Sequence, residues 1–148
     1  MTAPIPPVYV DPTRNQFEAF KGLDRGHPIE MLNLVRFRPE ALYPDGHALA
    51  QAGLSGAEAY KNYGAESGPI FASLGGEIIW RGEYETTLIG PADETWDEVF
   101  VARYPDAHAF MAMVTNPDYQ KAVVHRQAAV ATSRLIRTKP SDTGATFG

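Results

Sequence analysis

The chain has 148 residues, a net charge of -5, 44% hydrophobic and 21% charged residues, and no cysteine. This ordinary globular mixture, in the size range of one domain, excludes a largely disordered chain. The missing thiols exclude disulfides, thiolate metal sites and a cysteine nucleophile.

Lysine and arginine are scattered and form no basic face for phosphate contacts, so nucleic acid is not an expected partner. The opening Met1-Thr2-Ala3-Pro4-Ile5-Pro6-Pro7 lacks the basic and apolar regions of a secretory signal. No apolar run approaches the ~20 residues that cross a bilayer. A cytoplasmic protein without membrane contact is expected.

The proline-rich start predicts an extended arm over 1–10. Asp11-Pro12 predicts the start of a short helix over 12–22, with Phe17 and Phe20 on one face and Gly22 as its stop. Residues 28–38 read as a central strand, apolar on both faces. Met31, Asn33, Val35 and Phe37 alternate with Leu32 and Leu34.

The 39–54 stretch, with Pro39, Pro44, Gly46 and Gly53, is a long connection of the kind that often carries function. Ser55-Gly56-Ala57-Glu58 matches a capping box. The helix that follows carries Tyr60, Tyr63, Ser67, Ile70, Phe71 and Leu74, is kinked or broken at Gly68-Pro69, and ends at Gly75-Gly76.

A strand over 78–89, a turn at 90–93 and a strand over 96–104 predict an antiparallel hairpin. Pro105-Asp106 starts a helix through Phe110, Met111 and Val114. Asn116-Pro117 caps another that runs to about Ala131, with Tyr119, Ala122, Val123, Arg126 and Val130 along one side. A last strand covers 133–138, before a mobile tail over 139–148.

The whole reads as one α+β domain: an extra N-terminal helix and a ferredoxin-like β-α-β-β-α-β core over 28–138. Its helices cover one sheet face. The strands are apolar on both faces, so a second subunit is expected to cover the other, making a homodimer.

Several runs carry a family resemblance. Gly75-Gly76 with Trp80-Arg81-Gly82, then Trp96-Asp97-Glu98-Val99, then Tyr104-Pro105 with Ala109-Phe110 resemble the DUF1330 family. So do Asn116-Pro117-Asp118-Tyr119-Gln120, His125-Arg126, Ala128-Ala129 and Ser133-Arg134-Leu135-Ile136. The likeness covers roughly residues 60 to 138, and Met31 to Phe37 resembles the first strand of a longer subgroup. The resemblance implies a dimeric α+β barrel and no particular reaction. The N-terminal helix and the 39–54 loop depart from the shortest members, so nothing is carried over to them.

In a barrel of this shape the sheet face away from the helices is the expected ligand cavity, and Asn33 is assigned to it. A buried amide needs partners. Asn33 therefore either bonds a neighbouring strand end or the dimer mate, or contacts a ligand.

Arg126 either pairs with a carboxylate such as Asp97 or Glu83, or binds an anionic ligand group. His125 is either a surface histidine or a general base. Asn33, His125 and Arg126 are the candidate catalytic residues. Arg36, Tyr60, Tyr63, Trp80 and Tyr104 are the candidate ligand-binding residues, each with a packing or strand-end alternative. His27, His47 and His108 have no regular ligand spacing with His125, so no metal site is expected.

Three functions follow. The first is a cofactor-independent enzyme acting on a small hydrophobic carbonyl or aromatic compound in the barrel cavity. The second is a non-catalytic small-ligand-binding or stress-related accessory dimer. The third is a haem binder.

Overall fold

The structure is a computed structural model and describes residues 8–148, so the first residues of the predicted arm lie outside the described residues. The elements run α1 (Arg14–Gly22), β1 (Ile29–Phe37), α2 (Gly56–Ser73), β2 (Glu77–Gly82), β3 (Glu98–Tyr104), α3 (Ala107–Thr115), α4 (Pro117–Ala129) and β4 (Val130–Thr138). The four strands form one sheet in the order β2-β3-β1-β4, with every neighbouring pair antiparallel. After α1 this is an α+β, ferredoxin-like arrangement.

Local chemistry accounts for the helix starts. Thr13, rather than Asp11, caps α1: its Oγ1 accepts the Gln16 N–H at 3.1 Å. Ser55 and Glu58 form the reciprocal capping box of α2, which satisfies two free backbone donors at once. Asp106 caps α3, and Asn116 caps α4 with Pro117 in its first turn.

Three expectations are corrected. Pro69 neither breaks nor ends α2, which continues to Ser73. The bond it removes would have engaged the carbonyl of exposed Ala65, where water can replace it. The strand expected over 78–89 ends at Gly82, and 83–97 is an irregular connection before β3. The third correction is the face of Asn33. Across β1 the register pairs Met31 with Ala102, Asn33 with Phe100 and Val35 with Glu98. Met31, Val35, Phe100, Ala102 and Tyr104 are buried beneath the helices. Asn33 shares their alternation and so belongs to the helix-covered side of the sheet.

The opposite face carries Leu32, Leu34, Val99 and Val101, all half-buried, with Trp80 52% exposed beside them. Among the described residues no helix covers this face. The main core cluster lies on the other side, where Tyr104 meets Phe71 and Phe110 edge-on with ring centroids 5.3 Å away, while buried Trp96 stacks on Arg134 apart from it.

Candidate functional site

The polar centre of the molecule forms where the chain leaving β1 docks on the end of α4. The last carbonyls of a helix have no partner within it. Here the Arg38 N–H donates to the Ala129 carbonyl at 2.7 Å and the Leu42 N–H to the Ala128 carbonyl at 2.9 Å. Gly56, at the start of α2, makes the convergence possible. A Cβ there would lie 2.0 Å from the Arg38 carbonyl oxygen and 2.9 Å from that of Ala129.

Docking the loop this way delivers Tyr43, the next residue, onto α4. Its hydroxyl is 2.7 Å from His125 Nδ1, and both side chains are buried. On its other side His125 Nε2 bonds the Glu66 carboxylate of α2. Glu66 is half exposed, with 50% of its side chain open, whereas His125 keeps 9%. His47 stacks on Tyr43, ring centroids 4.7 Å apart, and its Nδ1 accepts the Leu49 N–H. A polar chain thus runs from solvent at Glu66 through His125 to a buried phenol.

Burial pushes the Tyr43 phenol above its ordinary pKa; the Asn62 amide partly opposes this and the Glu66 charge adds to it. Tyr43 is therefore a neutral proton donor at ordinary pH. Tyr60, Tyr104 and Tyr119 are also raised, burial first in each case, with the neighbouring Tyr63 second.

These phenols give a pH prediction. A pKa higher in the folded than in the unfolded chain stabilises fully below the unfolded value, about 10 for tyrosine, and that contribution is lost as pH rises above it. Tyr43, Tyr60, Tyr104 and Tyr119 should stay un-ionised in the folded protein just above that pH and titrate together with alkaline unfolding. Ultraviolet absorbance read alongside circular dichroism would check this. Smooth tyrosinate formation by all phenols before any loss of helix would contradict it.

The candidate residues do not converge. Asn33 donates to the Met31 carbonyl of its own strand at 3.0 Å. Arg126 makes no ion pair with Asp97 or Glu83: its guanidinium holds the Val10 carbonyl and the Ser133 hydroxyl, tying the N-terminal arm to β4. Arg36 donates to the Asp93 carbonyl at 3.1 Å. Tyr63 and Tyr119 share a hydrogen bond of 2.9 Å, and Tyr60 packs on Phe37. The Tyr104 hydroxyl points at Met113 Sδ in the core. Trp80 stands on the uncovered face, and His108 is exposed on α3.

Of the three residues proposed as catalytic, His125 alone joins the polar centre. Its partners Tyr43 and Glu66 escaped the sequence reading. The usable signals were a tyrosine inside a proline- and glycine-bounded loop, and Asn62 and Glu66 one helical turn apart. Among the described residues no group of His, Cys, Asp and Glu gathers to hold a metal ion, and no helix is long and apolar enough to cross a membrane.

Residues 45–138 match the family model described as a domain of unknown function, DUF1330. The chain belongs to the DUF1330 family. This DUF1330 chain is 52% identical to RPA0582, a protein of unknown function from Rhodopseudomonas palustris. The crystal structure of that protein superimposes with a TM-score of 0.85, over 92% of this chain and 99% of that one. Its methylated form gives 0.87 over 93% and 98%, at the same identity. A dimeric ferredoxin-like protein of unknown function from Bacteroides fragilis aligns at 11% identity and a TM-score of 0.45, over 78% of this chain and 99% of that one. No curated protein matches in sequence.

Proposed function

We propose that this DUF1330 protein is a cofactor-independent acid–base enzyme, acting as a homodimer in the cytoplasm on a small neutral carbonyl compound. The observation that supports it is the Glu66–His125–Tyr43 chain, which links water to a buried phenol.

In this reading the Glu66 carboxylate fixes the orientation of the imidazole through Nε2. Tyr43, held neutral by burial, donates to the carbonyl oxygen of a substrate meeting it beside His47. Polarised in this way, the carbonyl compound loses its α-proton to water more readily. His125 holds the phenol in place through Nδ1, and the substrate oxygen hands the proton back to Tyr43 when solvent reprotonates the α-carbon. A neutral substrate fits because the charge beside the imidazole is the Glu66 carboxylate, and Arg126 is already spent on the N-terminal arm. The site of this reading lies on the helix side of the sheet, not in the barrel cavity.

Homodimerisation is supported by the uncovered apolar face of Leu32, Leu34, Val99, Val101 and Trp80.

The test is exchange of α-protons for deuterium in acetone, cyclohexanone and acetophenone in D2O, followed by proton NMR. The wild type should accelerate exchange of at least one compound roughly tenfold or more over Tyr43→Phe, the scale of a positioned acid–base group being about 100-fold or larger. Equal rates for wild type, Tyr43→Phe and His125→Gln on every compound would sink the reading.

A non-catalytic ligand-binding dimer is the second reading. Two surface depressions favour it because both lie away from the relay. One, of about 280 Å³, is lined by Leu23, Asp24, His27, Arg137, Thr138 and Lys139. The other, of about 370 Å³, is lined by Arg81, Gly82, Glu83, Asp97 and Glu98. Thermal stabilisation by one of the three compounds without exchange would favour this alternative.

A further inference from the structure

We propose that the 83–97 connection is a clasp whose Leu88-Ile89 tip packs on the uncovered sheet face of a second copy of this chain. The inference rests on the homodimer reading above and adds the element that holds it.

Leu88 is 90% exposed and Ile89 93%. A single exposed leucine is unremarkable, but two adjacent apolar side chains held out in water by a braced turn mark an interaction site. The bracing is specific. The Tyr84 hydroxyl donates to Thr87 Oγ1 at 2.7 Å, and Thr87 donates to the Glu94 carbonyl at 2.8 Å. The Glu94 N–H closes on the Pro91 carbonyl at 3.1 Å. Gly90, at φ 146°, turns the chain immediately after the tip, a conformation glycine adopts without strain. Little ordering entropy is then lost when the tip binds.

The base of the clasp is anchored to the uncovered face itself. Arg134, in register with Leu34, pairs with Glu94 at 2.7 Å, and Arg36 holds the Asp93 carbonyl. The tip therefore projects beside the face that lacks a cover. In a two-fold dimer each chain offers both the tip and its receptor, so the contact closes on itself.

Area supports the second copy as occupant. A stable interface takes about 800 Å² from each partner. The central Leu32, Leu34, Val99 and Val101 are already half-buried by their neighbours. Most of the required apolar area must come from Leu88, Ile89, Trp80 at 52% and Ile136 at 47% exposure.

The experiment is sedimentation velocity over a concentration series on the wild type and on Leu88→Asp/Ile89→Asp. The wild type should be a dimer, and the double variant should dissociate about 100-fold or more readily with an unchanged circular dichroism spectrum. Ile89→Cys gives a second readout, since the chain has no other cysteine. Labelled with a benzophenone maleimide and irradiated, it should cross-link between chains to peptides containing Trp80, Leu32 or Ile136. A monomeric wild type overturns the dimer reading and the clasp together. A dimeric wild type with an equally tight double variant, or with cross-links confined to one chain, overturns the clasp alone.

Discussion

Gly56→Ala is expected to lower stability by about 3 kcal/mol and the melting temperature by roughly 10 °C. The added methyl would meet the Arg38 carbonyl oxygen at 2.0 Å, with the Arg38 nitrogen and the Ala129 oxygen each at 2.9 Å. All three are backbone atoms, so no rotamer change relieves the clash. The end of β1, the start of α2 or the end of α4 must move, and the bonds of Arg38 and Leu42 to the α4 carbonyls are the ones at risk. Gly64→Ala, inside α2 with nothing within 4 Å of the new methyl, is the control. It should stabilise by about 0.5–1 kcal/mol through the lost flexibility of glycine. Urea denaturation of both variants checks the pair. Should Gly56→Ala fall within about 1 kcal/mol of the wild type, the close convergence of these three segments is wrong.

His125→Ala should cost about 3 kcal/mol, and the reason is not lost packing alone. The buried Tyr43 hydroxyl has His125 Nδ1 as its hydrogen-bond partner, and an unpaired buried hydroxyl costs about 1–3 kcal/mol. The imidazole volume adds a cavity term. A double-mutant cycle with Tyr43→Phe isolates the pair, with an expected coupling of about 1–3 kcal/mol. Removing the imidazole also releases the loop at Tyr43, so limited proteolysis should cut His125→Ala within 39–54 faster than the wild type. Additive single effects would mean that Tyr43 and His125 do not act as a unit. The relay would lose its energetic basis with them.

Legibility in the sequence followed the range of the interaction. Capping is a contact over three residues, so Ser55-Gly56-Ala57-Glu58 and Asn116-Pro117 announced α2 and α4 directly. Alternation over β1 is equally local, and it separated Leu32 and Leu34 from Met31 and Val35 without any structure. What alternation lacks is a label for which face the helices take, and Asn33 went to the wrong one for that reason. Residues 83–89 were misread because their threonines and apolar side chains carry β-propensity. Propensity is weak where no strand partner exists, and here the Tyr84–Thr87–Glu94 bonds bend the chain away from the sheet. Arg126 showed a charge in a partly buried stripe, but its acceptors are a backbone carbonyl and a hydroxyl far along the chain.

The 39–54 loop is the sharpest case. Its length and its prolines and glycines pointed to function, and Tyr43 within it reaches the polar centre, yet no spacing rule joins a loop tyrosine to a histidine on the last helix.

By itself, then, the sequence determined the elements, the α+β class, the ferredoxin-like order and the presence of two apolar sheet faces. These follow from periodicity and caps, which act within a few residues. Tertiary structure alone decided which face the helices cover, that Tyr43 and Glu66 flank His125, and that Leu88 and Ile89 project into water. Each depends on groups brought together from distant parts of the chain. The joining force is the need of backbone and buried polar groups for partners, above all the free carbonyls at the end of α4.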